Sequence, residues 1–155
     1  MRLVYSLLLF LHLAGVIVWV GGMFVMHFAV RPAVAAELQP PQRLALMAHT
    51  LGRFFFWVTI AIVVILASGI ALILGAGGFR NAHLSVHLMF GLGLVMMAIF
   101  AHIRTAPFRR LRSAVAAADW PTAARELQAV RTLVMLNLVL GAATVAVATI
   151  GRALL

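Results

Sequence analysis

Residues 3–30 read LVYSLLLFLHLAGVIVWVGGMFVMHFAV and carry no Asp, Glu, Lys or Arg. About 20 apolar residues suffice to cross the hydrocarbon core of a bilayer, so this run is long enough to span. It nevertheless holds two ionisable side chains, His12 and His27, with Trp19 and the pair Gly21-Gly22 between them. The single Arg before it and the length of the run set it apart from a cleavable signal peptide, and we expect a retained spanning helix.

The rest of the chain has the same character. Its 155 residues are 65% hydrophobic, with a mean hydropathy of +1.14, well above what a water-facing surface permits. Further apolar runs cover 54–79, 82–103 and 132–150. In lipid each must satisfy its backbone polar groups internally, which makes each a helix. We therefore expect an all-α integral membrane protein: one domain over 1–155, an antiparallel up-and-down bundle of four transmembrane helices near 3–30, 42–76, 82–105 and 121–151. Pro40-Pro41 and Asp119-Trp120-Pro121 read as helix starts, because Pro is tolerated in a first turn; a break or kink is expected near Pro107. GAGG at 75–78 is a short turn between the second and third helices.

The formal charge of +9 comes entirely from Arg. Arg31, Arg43, Arg53, Arg104, Arg109, Arg110, Arg112, Arg125 and Arg131 fall in or beside the two longer connections; Arg2, Arg80 and Arg152 fall on the other side. The positive-inside rule then places the long loops in the cytoplasm and both termini outside, as in a bacterial-type inner membrane. The same rule accounts for the basic balance without nucleic acid as a partner.

Chemistry is narrowly bounded. There is no Cys, which excludes disulfides, iron–sulfur clusters and thiolate ligation. The acids are Glu37, Asp119 and Glu126, all outside the spans, and nothing resembles a Ser-His-Asp set, a phosphate loop or a zinc helix. Histidine remains. At 1.5 Å per residue His12 lies roughly 14 Å from the outer start of its helix, and His87 roughly 6 Å within the third. The six sort into an outer group (His12, His83, His87) and an inner group (His27, His49, His102).

Intramembrane ionisable residues are functional candidates by default. Small residues lie beside them: Gly15 and Gly22 along the His12–His27 face, Gly91, Ala98 and Ala101 along the His87–His102 face. Such rows suit a flat ligand between helices and equally suit close helix packing. The fourth helix offers a weakly polar face of Asn137, Gly141, Thr144, Ala148 and Gly151. Met23, Met26, Met96 and Met97 read as core packing or as soft ligands for Cu(I).

The leading expectation is a b-type haem, one or two, held by histidine pairs: His12 with His87, and His102 with His49 or His27. Arg53 and Arg104 are the expected propionate partners, and Trp19 lines the site. The role would be redox or electron transfer, on a haem precursor or quinone, with a redox partner protein or a second copy of the chain as further partners. If an enzyme, the chain would be a haem-dependent membrane oxidoreductase. The alternative is copper uptake or resistance, with Cu(I) moving through His and Met sites, foremost His12, His87, His102 and His49.

LHLAGVIVWVGGMFVMHFAVRPAV resembles the first helix of CopD-type membrane domains, with His12, the Trp19-to-Gly22 run and Arg31-Pro32. GRFFFWVTIAIVVILASGIALIL resembles their second helix, with Arg53-Phe54 and Ser68-Gly69. His102, Arg131 and Asn137 resemble the related HemJ-type protoporphyrinogen oxidases. The first resemblance implies copper uptake or resistance, the second b-type haem and oxidation of a haem precursor. HemJ-type proteins carry a Lys on the third helix; this chain has none, and His87 stands in roughly that zone.

Overall fold

The computed structural model describes residues 2–154, with side chains described through Gly151. Four helices are long and apolar enough to cross a membrane, and the described residues are otherwise turns, a 3-10 turn at Phe79–Asn81 and one short amphipathic helix. We label them α1 (Arg2–Glu37), α2 (Pro40–Gly75), α3 (Leu84–Thr105), α4 (Pro107–Ala116) and α5 (Trp120–Leu154).

α1 continues past the charge-free run to Glu37 and contains two wide turns with π-helical hydrogen bonding, Ile17–Gly21 and Met26–Val30. The second lies just before Arg31-Pro32. A proline ring inside a helix collides with the carbonyl four residues back and removes one donor; a wide turn at that point relieves the collision, so the helix passes through Pro32 unbroken. α2 starts at Pro40-Pro41 and ends in a turn where Gly77 and Gly78 take φ of +97° and +82°, a region that only glycine enters at little cost. Pro107 does break the third helix. Ala106 leaves helical geometry (φ −113°, ψ −87°), and α4 begins with Pro107 in its first turn.

Packing follows a simple plan. α1 lies on α2, and α3 and α4 lie on α5. The close approaches of α1 to α2 pair His12 with Gly69, Gly15 with Ala61 and Ile65, and Gly22 with Phe54. As one number rises the other falls, so these two helices run in opposite directions. α3 uses Ser85, Met96, Phe100 and Ile103 as its buried face. α4 buries Pro107, Phe108, Leu111 and Ala114 and leaves Arg109, Arg110 and Arg112 exposed.

The two units meet in an aromatic core near the arginine-rich ends. Phe55 of α2 is edge-on to Phe100 at 5.5 Å and to Phe108 at 4.9 Å, and Trp19 is edge-on to Phe100 at 6.2 Å. Such edge-to-face pairs contribute roughly 0.5–1.5 kcal/mol each beyond burial. Leu3, Phe10, Ile17, Phe24 and Phe28 project outward along α1, as befits a helix solvated by lipid.

Candidate functional site

His12 is the histidine most tightly built into the bundle. Its Nδ1 lies 3.1 Å from the carbonyl oxygen of Ile65 and 3.2 Å from Ser68 Oγ. Ser68 is buried, and its hydroxyl donates to the carbonyl of Val64 at 2.5 Å. Ile65 O can only accept and the Ser68 proton is committed to Val64, so the proton on His12 resides on Nδ1. The neutral ring then carries its lone pair on Nε2. This is how metal-binding histidines are commonly arranged: one nitrogen donates to a carbonyl, and the other is left as ligand. Gly69 makes the approach feasible, since a Cβ there would sit 3.1 Å from His12 Cε1.

The remaining histidines are placed differently. His83 caps α3, its Nδ1 accepting the Ser85 N–H at 3.3 Å. His87 donates from Nδ1 to the His83 carbonyl at 3.2 Å and lies 5.9 Å from the Phe79 ring. His87 and His102, expected to face a ligand inside the bundle, sit on the exposed face of α3 beside Gly91, Ala98 and Ala101, all exposed. The reason is that α3 meets α5 through the opposite, larger side chains. His49 is exposed on α2, and half-buried His27 lies edge-on to Phe28 at 4.8 Å. Among the described residues no group of three or more His, Cys, Asp or Glu is arranged to hold a metal. An axial pair for haem needs rings on facing helices; the structure instead sets His12 against α2 and leaves His87 and His102 outward.

Trp19 is core, 3% exposed. Arg53 is exposed. Arg104 Nη1 donates to Thr59 Oγ1 at 2.7 Å and to the Phe55 carbonyl at 3.1 Å, so the guanidinium latches α3 to α2. Nothing in the spacing of the sequence signalled Thr59 as its partner.

The small face of α5 works as a packing surface. Asn137 is buried and its Nδ2 donates to the Met96 carbonyl at 3.2 Å. Thr144 Oγ1 lies 3.8 Å from Met96 Sδ, and a Cβ at Gly141 would come within 3.0 Å of Val20 and 3.2 Å of Met96. Met23 and Met96, 1% and 3% exposed, thus place two thioethers in the shared core, with Met26 and Met97 packed against it.

Comparison with known proteins gives one family. The family described as copper resistance protein D, CopD, matches residues 48–150, a stretch from within α2 through most of α5. Neither the comparison with curated proteins nor that with solved structures returned a match. The CopD part of the resemblance is thereby carried by α2, α3 and α5, while the HemJ part receives no support from these comparisons. With two thirds of its residues matched, the chain belongs to the CopD family of membrane proteins.

Proposed function

We propose that the chain handles copper in the membrane, with Cu(I) as its cargo. The observation that carries this reading is membership of the CopD family, and the donor set is compatible with it. His12 has its Nδ1 proton bound to α2, which leaves Nε2 to ligate. Met23 and Met96 bring thioethers into the core, and the acids Glu37, Asp119 and Glu126 all lie outside the charge-free runs. Thioether and imidazole suit Cu(I), whereas hard cations require oxygen ligands. Transfer between such sparse donors is consistent with movement rather than storage. Copper replaces haem as the favoured reading, since the family supports it and the outward placement of His87 and His102 does not favour a haem between helices.

The asymmetry of the arginines supports cytoplasmic long loops, with both termini outside, in an inner membrane of bacterial type. The same placement supports a four-helix up-and-down order.

The test is Cu(I) retention by the purified chain in detergent, under reducing conditions and against a competing chelator. The reading expects stoichiometric Cu(I) that is lost in His12→Ala, and copper accumulation in cells that rises with expression of the chain. A preparation that ignores Cu(I) and instead shows a haem Soret band would overturn it.

A further inference from the structure

Arg31 of α1, Arg43 of α2 and Arg131 of α5 line one pocket of about 210 Å³, floored by Leu44, Met47 and Leu127. No carboxylate lines it. Among the arginines whose side chains are described, these three are the ones partly buried; all others are exposed. Arg131 Nε is buried and has no hydrogen-bond partner. Glu126, the one buried acid among the described residues, is already bound to Arg110 at 3.0 Å and Arg125 at 3.6 Å.

Three like charges drawn from three helices into a half-buried pocket repel one another and give up part of their hydration, a cost that a bound anion offsets. Guanidinium forks match phosphate oxygens in geometry and charge. The pocket also shares Arg31 and Ala35 with an open groove of about 580 Å³ lined otherwise by His27, Phe28, Pro32 and Ala36. A charged head beside an apolar groove, where α1 and α5 leave their charge-free runs, is the chemistry of a lipid rather than of a soluble ion.

We propose that this pocket binds the phosphate of an anionic phospholipid, with the apolar part of the lipid lying along the groove. The assignment is independent of the copper reading, since it uses none of the same residues.

The test uses the full chain in detergent, with native mass spectrometry and thermal unfolding in the presence of phosphatidylglycerol, phosphatidylcholine or inorganic phosphate. The expected result is selective retention of phosphatidylglycerol, weakened about tenfold in Arg131→Gln and in Arg43→Gln. Arg112→Gln, which removes an equal charge from exposed α4, should retain it like the parent. Should Arg131→Gln fail to fold, Arg43→Gln decides. A rise in Tm with inorganic phosphate that Arg43→Gln abolishes, without lipid retention, would keep the phosphate site and overturn the lipid as its source. Equal retention by parent and both pocket variants, with Tm indifferent to phosphate, would overturn the site.

Discussion

His12 Nδ1 donates across the helix interface to the carbonyl oxygen of Ile65, 3.1 Å away. That single relationship joins α1 to α2 within the span and fixes which nitrogen of the ring remains available. It is the strongest reason to set His12 apart from the other five histidines.

If Ser68 Oγ, 3.2 Å from the same Nδ1, helps hold the ring, then Ser68→Ala should weaken Cu(I) retention by about tenfold, the low end for groups that orient a metal-binding histidine. His12→Ala should abolish retention at that site. Chelator competition on both variants reads the difference, and equal affinities in Ser68→Ala and the parent would remove Ser68 from the site.

Close packing of α1 on α2 gives a second expectation. A Cβ at Gly15 would fall 2.7 Å from Ile65 Cγ1 and 3.2 Å from the backbone oxygen of Ala61, whereas a Cβ at Gly21 meets nothing within 4 Å. Gly15→Ala should therefore cost about 1–3 kcal/mol through overpacking, while Gly21→Ala should be close to neutral. Denaturation in mixed micelles, run on both, makes the comparison.

The Glu126 ion pairs predict an asymmetry. The Glu126 side chain is 7% exposed, whereas those of Arg110 and Arg125 are 59% and 74% exposed. Removing the acid leaves two solvated cations, but removing Arg110 leaves a buried carboxylate with one distant partner. Arg110→Ala should thus lower stability by about 1–2 kcal/mol, and Glu126→Gln by less. The reverse order would show that Glu126 is far better hydrated than its burial indicates.

Much of this fold was legible because its determinants are local. Long charge-free runs define the spans, Pro40 and Pro121 mark helix starts, and Pro107 marks the interruption of the third helix. The extension of α1 to Glu37 was not, since the charge-free run stops at Val30 and the wide turn that carries the helix through Pro32 has no sequence signal. Those wide turns also rotate the chain less per residue than an α-helix, so a face assigned at 100° per residue drifts between His12 and His27. The orientation of α3 was hidden for another reason. Its whole circumference is apolar, and the packed face is chosen by α5, which the local pattern does not encode. Likewise, Arg31, Arg43 and Arg131 look like ordinary anchors until three helices bring them to one pocket.

Acid should loosen the start of α5. The Thr122 backbone N–H donates to Asp119 Oδ1 at 3.2 Å, and hydrogen bonding to Thr122 holds the Asp119 carboxyl below its ordinary value, with Arg125 adding to the effect. A carboxyl with a lowered folded pKa stabilises the fold above its unfolded value, and that contribution disappears as pH falls through the folded value. Hydrogen exchange at Thr122 and Ala123 should accordingly quicken at acid pH. Asp119→Asn keeps an equally good N-cap but removes the titrating charge, so exchange at these amides should lose that acid-dependent loss of protection. Identical acid dependence in Asp119→Asn and the parent would assign the loosening to another group.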